Sequence, residues 1–300
     1  MARDFRYGGQ AVMEGVMMRG QKTSSTAVRR PNGEVVVNNK PLPKLYTGRL
    51  RQTPFIRGII VLIESIILGI NSLFYSANIA LEEEGEDVSV GSTWLILGLS
   101  FALAIGLFFI APLFLTKLLD PYIESSIIFH LIEGAIRLFI FLIYLRLISL
   151  LPDIKRTFAY HGAEHKTINA YEDGVDLEAK TIKKYNTAHT RCGTAFLLAV
   201  LVIAVIVFAL VGRQALWLMI LSRILLIPVI AALGYEATQF GARHMNNILV
   251  RAVMTPGMWL QSLTTREPDE SQIEVAVTAL KEVLATDKQA AEQTPAEVVT

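Results

Sequence analysis

His161, Glu164 and His165 lie within five residues, and His189 and Cys192 follow within 32 residues of the first. Imidazole and thiolate are the usual ligands of zinc, and a carboxylate beside them can take a proton from water. On a helix, His161 and His165 stand one turn apart on the same face, the spacing with which two imidazoles grip one ion. The order H-x-x-E-H is that of inverzincin peptidases, in which the two His hold zinc, the Glu activates water and a distant Glu completes the set. Glu236 is the candidate for that distant ligand. Glu172 shares the helical face but sits roughly 10 Å further along the axis, which suits an outer group. His189 and Cys192 compete for the same place. Four protein ligands would close the site and make it structural; three with an open position would make it catalytic. Two other readings stand beside these: Cys192 as a nucleophile with His189 as its base, and a set of ordinary hydrogen-bonding histidines on a polar loop.

The setting of these residues is apolar. Of 300 residues, 52% are hydrophobic and 18% are charged, and the mean hydropathy is +0.44. Residues 93–116 and 193–212 carry no charge, and either run is long enough to cross a hydrocarbon core of roughly 30 Å. Residues 127–151 and 215–235 are as long but include ionisable groups. The ligand-rich stretch 152–192 is the long polar interval between two such pairs. The first 50 residues lack the apolar core of a secretory leader. Cys192 is the single cysteine, so no disulfide within the chain is possible.

Residues 1–53 hold ten Lys and Arg against three acids. They read as a small β-rich element: residues 23–29 and 34–38 flank Arg30-Pro31-Asn32-Gly33, a strong turn signal. In 54–81, Arg57, Glu64, Asn71 and Asn78 recur every seven residues, which predicts a polar stripe on an amphipathic or re-entrant helix. The acidic run 82–87 ends it. If 54–81 does not span, four helices remain, and the N-terminus, 152–192 and the C-terminus share one side. The excess of Lys and Arg makes that side the cytoplasm, leaving 117–126 and 213–214 outside. The basic N-terminus then faces anionic lipid rather than nucleic acid, and no phosphate-binding glycine loop is present.

Other polar residues stand out. His130, Glu133 and Arg137 lie inside an apolar run, with Arg223 a candidate partner in the last one. Ionisable groups in a membrane face the bundle interior, as a proton path or as an ion pair that locks the helices. Glu14, among glycines in GGQAVMEG, either approaches the metal-binding stretch or caps a turn. Asp269-Glu270-Ser271-Gln272 signals a helix N-terminus. Ile273, Val277, Leu280 and Leu284 would line one face of that helix, and the composition after about 286 is that of a disordered tail.

Four segments together, GGQAVMEGVMMRG (8–20), YHGAEHKTINAYE (160–172), HTRCGTAFL (189–197) and PGMWLQSLTTREPDESQIEVAVTAL (256–280), resemble the YqhQ-like family of bacterial integral membrane proteins. The resemblance implies a metal-dependent enzyme and points to Glu14, His161, Glu164, His165, His189 and Cys192.

The expected fold is therefore a mainly α, polytopic membrane protein, with about four transmembrane helices, one amphipathic or re-entrant helix (54–81) and a small β-rich N-terminal element. Transmembrane pairs at 93–151 and 193–235 bracket the cytoplasmic stretch 152–192, and a cytoplasmic region with an amphipathic helix occupies 236–285. The expected function is a divalent-metal (zinc) hydrolase of the bacterial inner membrane, with both termini cytoplasmic. His161, His165, His189 and Cys192 are the metal ligands, and Glu164 and Glu14 the catalytic carboxylates. Partners are the lipid bilayer and other membrane proteins. A membrane scaffold with a structural metal site, and a transporter resting on His130, Glu133, Arg137 and Arg223, are the rival readings.

Overall fold

The computed structural model describes residues 5–80 and 90–292; the acidic run 82–87 and residues 293–300 fall outside the described residues. Strands β1 (Gly8–Val12), β2 (Gly15–Arg19), β3 (Thr23–Arg29) and β4 (Val35–Pro41) form an antiparallel meander in chain order. The β3–β4 turn uses Gly33 at φ 90°, a left-handed conformation that costs glycine little. The two-residue β1–β2 turn holds Glu14 at φ 52°.

Alternation along the strands gives the sheet two buried faces. Val16, Met18 and Ala27 join Tyr160, Ile168, Ile273, Leu280 and Val283 in the largest core. Those partners belong to α6 (Pro152–Asp173) and α12 (Glu270–Glu292). Val12 and Val28 point the other way and pack on Ile79. Ile79 is in α2 (Ile56–Ala80), which follows the short α1 (Lys44–Thr47). Thr26 and Ser72 are hydrogen-bonded through their hydroxyls at 3.1 Å on that same face.

Helix α2 buries every fourth residue from Ile60 through Glu64, Leu68 and Ser72 to Ser76 and leaves Ile63, Ile66, Ile67 and Leu73 exposed. The heptad stripe expected from the sequence is split. Arg57 pairs with Glu236, Glu64 is buried between Arg19 and Arg51, and Asn71 and Asn78 are exposed. A seven-residue repeat drifts about 20° per heptad on a straight helix, so its ends part company.

The remaining helices run α3 (Val90–Ile105), a π-helical turn (Gly106–Ile110), α4 (Ala111–Lys117), α5 (Ser126–Ile148), α6, α7 (Ala179–Ile182), α8 (Gly193–Val211), α9 (Leu216–Leu225), α10 (Ile227–Arg243), α11 (Ile248–Thr264) and α12. Among the described residues, four helical runs are long and apolar enough to cross a membrane: α2, the α3–α4 run 94–117, α5 and α8. Helices α9 and α10 make a fifth if they count as one span bent by 48°. The bend replaces the single span expected over 215–235, and Pro228 at the start of α10 explains it, since proline has no N–H to continue the ladder. Proline also breaks the first span. Pro112 offers no N–H to the Phe108 carbonyl, and Arg137 Nε donates to that oxygen instead, at 2.9 Å.

Arg137 belongs to a buried cluster. Glu133 accepts from Arg137 (2.6 Å), from Arg223 (3.1 and 2.5 Å) and from His130 Nδ1 (3.2 Å). This ties α5 to α9. At the far end of the bundle, Arg213 reaches Asp120 and the Ser125 carbonyl, joining the turns at 118–126 and 212–215.

At its C-terminal end the chain is more ordered than its composition suggests. Asp269 Oδ1 accepts from Gln272 N while Gln272 Oε1 accepts from Asp269 N, the reciprocal capping box. Helix α12 then continues past 286 to Glu292. Asp287 explains the extra turns: it accepts from the Tyr7 hydroxyl (3.1 Å) and from the backbone N–H of Gln21 (2.8 Å) and Lys22 (3.2 Å).

Glu133→Gln leaves two buried guanidinium groups without a counter-charge and is expected to cost about 3–5 kcal/mol. The thermal midpoint of the detergent-purified protein should fall sharply, and pairing Glu133→Leu with Arg223→Leu should recover part of the loss. A silent Glu133→Gln would show that the cluster does not hold the helices.

Candidate metal centre

Helix α6 carries His161 and His165 on one face, as the spacing predicts, and its neighbours fix both rings. His161 Nδ1–H donates to the Thr264 carbonyl at 2.9 Å, and His165 Nδ1–H donates to the Thr187 carbonyl at 2.5 Å. Each Nδ1 therefore carries a proton, the outer arrangement usual for metal-binding histidines. The ring centroids are 4.4 Å apart.

Cys192 faces them from the N-terminus of α8. Its Sγ is 3.4 Å from His161 Nε2 and accepts from Thr194 N at 3.3 Å. One ligand atom from each of His161, His165 and Cys192 lies within 4.8 Å of the others. Bonds of about 2.0–2.3 Å to one zinc would place such atoms roughly 3.3–3.6 Å apart; the Cys192–His161 pair stands at 3.4 Å, and the whole set is looser, within 4.8 Å. The donor chemistry fits a borderline-soft divalent ion.

Glu164 is buried beside them. Its Oε1 accepts from Gly9 N at 2.9 Å, and its Oε2 is 3.4 Å from His165 Nε2. With the His165 proton on Nδ1, two lone-pair atoms face each other there, and a proton or a cation must lie between them. Gly9 makes the contact possible. A Cβ at that position would fall 2.2 Å from the Met17 carbonyl and 3.3 Å from Glu164 Cγ.

The other expected site residues lie elsewhere. His189 has its ring 5.4 Å from that of His165, but its Nε2 faces Glu172 at 4.0 Å and is outside the converging set. Its backbone is held by Gln261, which donates to the His189 carbonyl (2.8 Å) and accepts from its N–H (2.9 Å). Glu172 is paired with Arg191. Burial works to raise its carboxyl, but His189 and Arg191 outweigh that and hold it below the usual carboxylate range. The partner of Cys192 is His161, not His189, which removes the geometry for a Cys192–His189 nucleophile pair. Glu14 is paired with Arg156 and accepts from the Tyr160 hydroxyl at 3.3 Å, on the α6 turn before His161. It is not brought to the cluster. Glu236 is not the distant ligand: it is bound by Arg57 and by the backbone N–H of Phe55.

Sequence reasoning missed Gly9, Thr187, Gln261 and Thr264. Three of them act through the backbone and one through a side-chain amide, so residue type gives little signal of their roles. Gln261 and Thr264 do stand in the segment 256–280 that carries the resemblance.

A family described as a protein of unknown function (DUF1385) matches residues 53–286. The uncharacterized protein YqhQ of Bacillus subtilis (strain 168) is 35% identical over 294 residues, which cover 93% of this chain and 92% of that protein. No solved structure matches the chain. The chain belongs to the DUF1385 family.

Gly9→Ala is expected to force β1 away from the Met17 carbonyl of β2, and less strongly from Glu164, and to cost about 1–3 kcal/mol. A fall in thermal midpoint in detergent checks it; an unchanged midpoint would mean that β1 is not packed this closely on its neighbours.

Proposed function

We propose that this member of the DUF1385 family is a membrane hydrolase in which His161, His165 and Cys192 hold a divalent metal, zinc by preference, and Glu164 is the general base. The observation that carries the reading is the donor set. Three soft ligand atoms converge, the fourth candidate, His189, lies outside that set with its Nε2 4.0 Å from Glu172, and a buried carboxylate stands beside the three. A closed four-ligand centre would suit structure, whereas three ligands with an open position suit catalysis.

The bound ion would supply Lewis acidity to the bond being split. The chain's own residues do the rest. The carbonyls of Thr264 and Thr187 keep both imidazoles in the ligating tautomer. Gly9 N–H fixes one oxygen of Glu164, so that the other faces the cluster. That oxygen takes a proton from the attacking water and passes it to the leaving group, while the hydroxyl stays on the acyl or phosphoryl fragment.

The centre sits at the cytoplasmic face of the bacterial inner membrane in this reading, with both termini in the cytoplasm. Two features support it. The basic segment 1–53 supplies β1, whose Gly9 N–H reaches Glu164 at the cluster, and the short turns joined by Arg213 lie at the opposite end. Helix α2 passes for a span by length, but its face from Ser72 to Ile79 is covered by the sheet, so it stays at the domain's level.

The protein purified under reducing, chelator-free conditions should hold about one metal ion per chain, and His161→Ala or Cys192→Ala should lose it. Glu164→Gln should keep the ion yet fail to restore the phenotype of a strain lacking the chain. Full function in Glu164→Gln would reduce the centre to a structural role, and absence of stoichiometric metal would end the reading. For the topology, a reporter fused after Glu172 should read as cytoplasmic; an extracytoplasmic signal would reverse it.

A further inference from the structure

The metal centre forms one wall of a cavity of about 650 Å³ that extends well beyond it. Above the centre the cavity is bounded by β1 and α6, the water-soluble part of the molecule. Its other walls come from α2, α8 and α10, and α10 packs against both of its neighbours. Val61, Leu62 and Leu68 of α2 and Phe196 and Leu197 of α8 give it an apolar lining. Leu197 is 47% exposed on a helix with no charged residue, so this lining continues onto an apolar outer surface.

The same cavity is lined by cations. Arg19 and Arg51 share Glu64, and Asp287 acts on Arg19 from further off, so two guanidinium groups meet one contacting carboxylate in a largely buried place. Arg19 spends its donors on Glu64, the Gly20 carbonyl and the Tyr46 carbonyl. Arg51 is paired with Glu64. Burial, and then the neighbouring Arg19, push the Arg51 guanidinium down to about 10. Arg6, exposed and lining the same cavity, adds another cation. An ordinary soluble substrate gives no reason for the apolar lining, and a lipid without a phosphate gives none for the arginines.

We infer that the cavity takes an anionic phospholipid of the cytoplasmic leaflet, its phosphate at Arg51 and Arg6, its acyl chain between Leu62 and Leu197, and the headgroup region against the centre. The inference rests on the hydrolase reading for what happens to the lipid, but not for its binding. The arrangement lets substrate enter sideways from the bilayer, without leaving it.

The test uses the full chain in detergent. The probes are dihexanoyl phosphatidylglycerol, dihexanoyl phosphatidylcholine and inorganic phosphate, each below any micellar concentration, with binding read by calorimetry and metal content measured in parallel. Both phosphates can accept from the guanidinium groups, but the choline brings a further cation beside them, so the phosphatidylglycerol should bind at least about tenfold more tightly than the phosphatidylcholine. Arg51→Ala with Arg6→Ala should remove that preference. Leu62→Trp should weaken the lipid and leave inorganic phosphate unchanged, with metal content intact in every variant. Equal binding of the two lipids would overturn the inference. So would inorganic phosphate binding as tightly as phosphatidylglycerol with no effect of Leu62→Trp, which would assign the cations to a soluble phosphate. Wild-type protein that binds the anionic lipid selectively but holds no metal would sustain the inference and sink the hydrolase reading alone.

Discussion

Both faces of the four-stranded sheet are buried, one under α2 and the other under α6 and α12, and this double cover sets the position of everything else. A sheet with one wet face could drift relative to its neighbours, whereas a sheet clasped on both sides cannot slip by one residue without turning Val16 and Met18 out of the core. The clasp brings Gly9 to Glu164. It also holds the C-terminal half of α2 against the sheet, although α2 is long and apolar enough to cross a membrane. Ile63, Ile66, Ile67 and Leu73 stay exposed beside the buried face of that helix.

The satisfaction of polar groups follows the same logic at two depths. In the bundle, one carboxylate answers two guanidinium groups and an imidazole, and a carbonyl freed by Pro112 is taken by Arg137. Near the surface, Glu64 again answers two guanidinium groups. Low-dielectric surroundings make every unmatched charge costly, so the excess cation at Glu64 stands out beside a cavity in a way that it would not on a wet surface.

Much of this was legible in the sequence, and the parts that were not have a common cause. Uncharged runs announced the spans because hydrocarbon tolerates nothing else over that length. The Arg30-Pro31-Asn32-Gly33 turn announced β3 and β4 because few residues accept its backbone. His161 and His165 announced their shared face through helical periodicity alone. Three-dimensional proximity was harder to read. Glu14 and Glu164 look equally suited to chemistry on paper, yet the turn that follows β1 carries Glu14 to Arg156 while β1 itself delivers Gly9 to Glu164. His189 looked like a third ligand by type, but Gln261, 72 residues away, clamps its backbone and turns its ring toward Glu172. The bend between α9 and α10 was readable in Pro228, and the extra turns of α12 were hidden because only the distant Tyr7 and Gln21 give Asp287 its partners.

That last contact joins the two ends of the chain. The water-soluble layer is built from residues 8–41, 152–182 and 270–292, so it is interrupted twice by membrane helices. Translation delivers these pieces one at a time. The sheet emerges first and must wait, partly uncovered, while every span is threaded into the bilayer. Thr264, which accepts from His161, and Asp287, which ties down the start of the sheet, leave the ribosome after every span. The cluster of His161, His165 and Cys192 is thus timed by the order of synthesis: a chain still being inserted has its histidines but not the carbonyl that aims them, and the cluster is complete only when the membrane part is already in place.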